Sequence, residues 1–275
     1  MSDSPTLLVV GCGNMGRAMV AGWIQHGISP SHIHAVQRNA EKAQALRDSL
    51  GIHTHPSLSD IPTDLQYDMV MLAVKPYAIA EVGTDVQGML GDSPVYVSVA
   101  AGTTLATLEN AIGNAAPIVR VMPNVAAEAK ASMSICIGNT QLSDSNQQFI
   151  SELMGAIGKV AWLESEEQMH VATALAGSGP AYIFYLIEQM ITHATELGLD
   201  EATARTLAIQ TVKGAAEVAE QSGKALDDLR VSVTSPNGTT AAGLEQWMNA
   251  SGTCSELVHK TLSSAKGRSI EMSEE

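Results

Sequence analysis

The chain is short of cysteine, of cations and of long apolar runs, and each shortage narrows what it does. Its 275 residues include three cysteines. Cys12 lies inside a glycine-rich motif, Cys136 in the apolar run Ile135-Cys136-Ile137, and Cys254 near the C-terminus. No disulfide framework is suggested, and a reducing cytoplasm fits best. Lys plus Arg total 15 against 29 for Asp plus Glu, a net charge of −14, which argues against nucleic acid or an anionic membrane as partner. No apolar stretch is long enough to span a bilayer. Met1 to Pro5 is too short and too polar for a secretory leader, so none is expected. Metal chemistry lacks its marks as well: there is no H-E-x-x-H, no C-x-x-C and no carboxylate-rich loop. His53 and His55 can share one strand face but want a third ligand, so no metal is expected. His170, His193 and His259 read as partly buried polar residues on helices.

What is present begins at once. Thr6 to Val10 is an apolar run of the length of a buried parallel strand, followed by Gly11-Cys12-Gly13-Asn14-Met15-Gly16, the spacing G-x-G-x-x-G. Arg17 to His26 then reads as a helix, with Met19, Val20, Trp23 and Ile24 on one face. In this setting Gly11 makes a tight turn, Gly13 admits a pyrophosphate, and Gly16 lets helix and strand pack closely, as at a dinucleotide site. A helix N-terminus beside Cys12 can lower its pKa, although a nucleophile there would compete with a cofactor and packing is the better reading. The next strand, Ile33 to Val36, ends at Gln37-Arg38-Asn39 with no carboxylate to accept from a ribose 2′-OH. Arg38 suits a 2′-phosphate instead, so NADP(H) is expected, with NAD(H) weaker; the alternative is a solvated charge at the start of the helix Asn39 to Leu50. Tyr67 to Val74 is a strand that stops at Lys75-Pro76, and Pro76 turns the chain over the strand end, leaving Lys75 toward the cofactor or on the surface.

Strands at Val95–Val99, Ile118–Val121, Met133–Ile137 and Lys159–Leu163 alternate with helices near Ala78–Met89, Leu105–Ala111 and Ser143–Ile157. The alternation implies a doubly wound parallel sheet whose late strands are free to run antiparallel. Beyond Glu164 only helices are expected: Gln168–Leu197, Asp200–Gln221, Leu226–Val231, Thr239–Asn249 and Cys254–Met272, with Gly198 and Gly223 as C-caps and a frayed end at Ser273-Glu274-Glu275. The chain therefore divides into a sheet domain, 1–163, and a helical domain, 164–275, whose Ala- and Gly-rich faces allow close contact with another subunit.

Two segments of the helical half suggest chemistry. Ala176-Gly177-Ser178-Gly179-Pro180 puts two glycines and a proline into an apolar helix, where Pro alone costs ~3 kcal/mol. It is either a thinned helix that admits nicotinamide or substrate to the backbone, or a packing kink. Val233-Thr234-Ser235-Pro236-Asn237-Gly238-Thr239-Thr240 is a loop of hydroxyls ahead of a helix. Pro236 fixes one φ angle, Gly238 allows positive φ, and Asn237 tolerates that region better than other side chains do. The helix start would attract a carboxylate, with Ser235, Thr239 and Thr240 also available as N-caps.

Taken in order, GCGNMG, AVKP (Ala73 to Pro76), SVAAG (Ser98 to Gly102), RVMPN (Arg120 to Asn124), AGSGPAY (Ala176 to Tyr182) and VTSPNGTT resemble the Δ1-pyrroline-5-carboxylate reductases over nearly the whole chain. The family loop usually reads S-P-G-G-T-T, and Asn237 departs from it at the first glycine. The resemblance implies a Rossmann domain followed by an all-helical dimerisation domain, a homodimer that can associate further, and reduction of pyrroline-5-carboxylate to proline as the last step of proline biosynthesis. It implies Thr240 beside the ring nitrogen, the substrate carboxylate on Ser235, Gly238 and Thr239, and Asn237 in the same substrate site. It implies a cofactor on Gly11 to Gly16, Arg38, Asn39, Ala73, Val74, Lys75, Pro76, Val99, Ala100 and Ala101. Rival readings are another imine or β-hydroxyacid reductase, for which Lys213 and Lys224 stand in no suitable motif, and a non-catalytic NADP-binding regulator.

Overall fold

A computed structural model describes residues 4–249 and 253–274, so Met1 to Asp3 of the leader reading and Glu275 of the frayed end lie outside the described residues. The first part alternates as β1 (Leu7–Val10), α1 (Asn14–Gln25), β2 (Ile33–Val36), α2 (Ala40–Leu50), β3 (His53–His55), β4 (Met69–Leu72), α3 (Ile79–Leu90), β5 (Val95–Ser98), α4 (Leu105–Ile112), β6 (Ile118–Met122), β7 (Ser132–Gly138), α5 (Asp144–Gly155) and β8 (Gly158–Trp162). Helices follow: α6 (Gln168–Ala172), a π-helical turn at Thr173–Gly177, α7 (Gly179–Glu196), α8 (Glu201–Gln221), α9 (Leu226–Ser232), α10 (Thr239–Met248) and α11 (Cys254–Glu274). The chain forms two compact units, one of residues 1–178 with 265–275 and one of residues 179–264.

In the first unit the strands form one sheet in the order β3-β2-β1-β4-β5-β6-β7-β8, parallel except where β6 meets β7. Every residue of β1, β2, β4 and β5 is buried, as strands covered on both faces require. Alternate side chains feed separate cores. Leu7 and Val9 join Met19 and Trp23 of α1 and Leu153 of α5, whereas Leu8 and Val10 join Val86 of α3 and Leu108 of α4. Trp23 Nε1 donates to the Leu153 carbonyl at 2.9 Å, so the largest side chain of that core keeps its polar atom satisfied.

The second unit has little core of its own. Among its described residues only Ala204 and Ala208 of α8 are buried apolar side chains, while Ile183, Phe184, Leu207, Val218, Trp247 and Leu257 stand exposed. Asp200 caps α8 by accepting from the Thr203 N–H at 3.0 Å, and Gly198 ends the preceding helix at φ +109°.

The edge strand β3 is visible in the sequence only as two alternating histidines. Its pairing sets His34 of β2 opposite His53. The His34 ring stacks on those of His53 and His55, with centroids at 4.8 and 5.2 Å, and its Nδ1 lies 3.0 Å from His55 Nε2. Burial, and then repulsion from its histidine neighbours, pushes His34 down to about 4. Below its ordinary 6.5 the unfolded chain therefore takes up protons that the folded chain resists, and stability present above that pH is lost as pH falls toward 4. Thermal midpoints measured between these limits should fall more steeply for the wild type than for His34→Phe, by roughly 5 °C in all. Parallel slopes would remove His34 as the cause.

Candidate functional site

At the carboxyl ends of β1, β2, β4 and β5 a cleft of about 1290 Å³ opens where the strand order reverses. Gly11 and the segment Gly13 to Gly16 line it from β1 and the start of α1. Arg38 lines it from β2, Ala73 to Pro76 from β4, and Val99 to Ala101 from β5. Gly11 sits at φ +87°, where an added Cβ would stand 2.8 Å from Val74 Cγ1 and 2.9 Å from the Ala73 carbonyl oxygen. Only glycine makes this turn. At Gly13 an added Cβ would meet nothing within 4 Å, so the wall has room for a phosphate. Gly13 is also the N-cap of α1, with no side chain capping that helix and no acid in its first turn. These features fit an anionic dinucleotide. Gly16 differs from expectation: its nearest neighbours would lie at 3.5 to 3.7 Å, ordinary contact, so close packing does not depend on it.

Two of the expected cofactor residues do not line the cleft. Cys12 is buried in the sheet core, and burial pushes its thiol up to about 11 despite Arg17. The packing reading of Cys12 therefore stands. Its carbonyl accepts from Gln37 Nε2 at 3.1 Å, which ties the first loop to the end of β2. Asn39 caps α2, accepting from the Lys42 N–H at 2.9 Å.

The helix expected over Gln168–Leu197 is interrupted. Ser178 N–H reaches back five residues to the Thr173 carbonyl at 2.9 Å, forming the π-helical turn. The Ala176 carbonyl would ordinarily accept from the N–H four residues on, but that residue is Pro180 and has none. Asn124 Nδ2 donates to it instead at 2.9 Å. Gly177 lies against Met122, whose Cε would stand 3.2 Å from an added Cβ. The cost of the proline is thus met by one buried side chain from the end of β6.

In the second unit, Ser235-Pro236-Asn237-Gly238 is a turn closed by the Gly238 N–H on the Ser235 carbonyl at 3.0 Å. Proline at its second position puts the left-handed residue third, and that residue is Asn237 at φ +58°. Gly238 is therefore extended, at φ −83°, and does not use the positive φ open to it. Its lack of a side chain matters for a different reason, since an added Cβ would collide with Ser235 Oγ. Gly238 is the N-cap of α10 and no hydroxyl caps the helix, so Ser235, Thr239 and Thr240 do not take the N-capping role. The first helical bond runs from Ala242 to Gly238, at 3.2 Å. The N–H groups of Thr239, Thr240 and Ala241 thus have no partner within the helix.

Comparison with known proteins places this arrangement. A family profile described as pyrroline-5-carboxylate reductase dimerisation matches residues 166–272, and one described as NADP oxidoreductase, coenzyme F420-dependent, matches residues 6–102. A pyrroline-5-carboxylate reductase of Pseudomonas aeruginosa is 35% identical over 273 residues, which is 99% of this chain and 98% of its own. The chain belongs to the pyrroline-5-carboxylate reductase family. Another member, from Glycine max, is 35% identical over 99% of this chain and 97% of its own. A solved pyrroline-5-carboxylate reductase from Coxiella burnetii superposes with a TM-score of 0.92 at 34% identity, covering 98% of this chain and 99% of its own.

Inside the family motif RVMPN, two side chains carry structural work that motif spelling does not reveal. Arg120, buried in β6, pairs with Glu166 at 2.7 Å, and the same carboxylate oxygen accepts from the Leu105 N–H at 2.8 Å, at the start of α4. An arginine within an apolar strand is the signal, because a buried charge needs a partner. Asn124 supports the π-helical turn. Replacing it with Ala leaves the Ala176 carbonyl unmet and should cost about 1–3 kcal/mol in denaturant unfolding. A loss below about 0.5 kcal/mol would show that the carbonyl finds water.

Proposed function

We propose that this chain reduces Δ1-pyrroline-5-carboxylate to L-proline with NADPH, the last step of proline biosynthesis. The observation that carries this reading is the Ser235–Thr240 loop at the uncapped start of α10, in a chain that belongs to this family along its whole length. Residues 1–163 hold the cofactor, and residues 164–275 hold the substrate and form the dimer.

The substrate is a five-membered cyclic imine with one carboxylate. The N–H groups of Thr239 and Thr240, with the Ser235 hydroxyl, take that carboxylate, while Asn237 and Gly238 keep the turn in shape. Thr240 places its hydroxyl on the ring nitrogen. A threonine hydroxyl is a poor acid, so Thr240 orients a protonated imine and water supplies the proton. NADPH, when bound, supplies the hydride that reaches the imine carbon. Gly11 and the segment Gly13 to Gly16 cradle its diphosphate, and Arg38 faces its ribose phosphate. Ala73 to Pro76 and Val99 to Ala101 form the remaining walls, and NADH is used more weakly.

The exposed apolar helices of the second unit support a homodimer, since two buried alanines cannot stabilise five helical segments alone. Three free cysteines, two of them buried, suit the cytoplasm. Among the described residues no helix is long and apolar enough to cross a membrane.

Turnover is tested by following NADPH absorbance with pyrroline-5-carboxylate. Thr240→Val should lower kcat by about 10²-fold and leave the NADPH dissociation constant unchanged. Folded wild type that binds NADPH and never consumes it with this imine would overturn the reaction and favour a regulator.

A further inference from the structure

We propose that Lys42, with Arg38, holds the 2′-phosphate of the cofactor ribose and so sets the preference for NADPH over NADH. This rests on the NADP(H) reading above and adds to it a residue that stands in no family motif named here. Arg38 and Lys42 both line the cleft, four positions apart across the capped start of α2. Both are exposed at its rim, where a phosphate can reach them without a buried charge being stranded.

The surroundings favour a dianion at this end of the cleft. The segment Gln37-Arg38-Asn39 offers no carboxylate to repel it or to accept from a free 2′-OH. Ser57 and Ser59 line the same cleft, but their protons are committed elsewhere. Ser57 Oγ donates to Asp60 at 2.6 Å, which leaves Ser59 as the donor in the 2.7 Å contact between the two hydroxyls. Without a ligand the serines spend their protons on Asp60 and on each other, so Arg38 and Lys42 are the lining cations at this end that can hold a phosphate. Lys75, the other lining cation, follows β4, two strands away from β2 and so about 10 Å along the sheet. Glu81 and Asp85 line the cleft from α3 and disfavour a phosphate on their side. In a chain with a net charge of −14, a local pair of cations is what discriminates a phosphorylated ribose from a plain one.

Binding of NADPH and of NADH is measured separately by titration of the purified, assembled enzyme, for wild type, Lys42→Gln, Arg38→Gln and the double variant. The NADPH to NADH ratio of affinities should fall about tenfold in each single variant and further in the double, and the salt dependence of NADPH binding should weaken with it. Equal loss for both cofactors in Lys42→Gln would make it a packing residue, and an unchanged ratio would leave discrimination to Arg38 alone; either overturns the proposal. The titration needs no turnover, so failure of the imine reaction would leave this result readable by itself.

Discussion

The parallel pairing of β1 with β2 on one side and β4 on the other is the constraint on which the cofactor end depends. Leu7 stands opposite both Ile33 and Met69, and the match continues residue by residue to Val10, Val36 and Leu72. Three strands in step end at one level, so the segments that follow them open at one edge of the sheet. A slip of one residue would exchange side chains between the two cores, sending Leu7 and Val9 into the space that Leu8 and Val10 fill. The chain must then leave β1 sharply, and it does so at Gly11, whose N–H still reaches the Val36 carbonyl at 3.2 Å. Strand register and the glycine turn are thus one device, since the turn is positioned only while its neighbours hold their level.

Electrostatics sets a second constraint. An acidic chain that takes an anionic cofactor and an acidic substrate works against its own field, and a buried cation would need a partner of its own. Arg120 illustrates the latter, being committed to Glu166 and unavailable to a ligand. Anions are better met by backbone N–H groups, which carry no net charge and lose little when unoccupied. Both α1 and α10 begin at a glycine N-cap with no side chain closing the first turn. By contrast α2, α4, α5 and α8 are capped by Asn39, Thr104, Ser143 and Asp200. α3, α6 and α9 also begin without a side-chain cap, but it is the glycine-capped starts of α1 and α10 that coincide with the places where a ligand is proposed.

Most of the sheet, the glycine loop and the hydroxyl loop were legible because each depends on local sequence: apolar runs, glycine spacing and proline position. The features that escaped are those in which distant segments meet. Nothing local tells that Asn124 serves a carbonyl at Ala176, or that a carboxylate at Glu166 anchors the start of α4. Only three residues of β3 pair, and two of them are histidines, so no strand propensity marks it. The break at Thr173–Gly177 was visible as a cost, but its resolution into a π-helical turn required the acceptor to be seen.

Of the two residues able to take positive φ in this loop, Asn237 and Gly238, the turn uses the first. A turn opened by Pro236 requires positive φ at its third residue, and the third residue is Asn237. Asparagine reaches that region at modest cost, which explains how the turn survives where the family usually carries glycine. Gly238 is then free of the φ constraint and bound by a steric one, because Ser235 Oγ occupies the space a side chain would need. The two positions are therefore not equivalent. Glycine at 237 should be tolerated, since it meets the same φ, whereas any side chain at 238 must displace Ser235 from the start of α10.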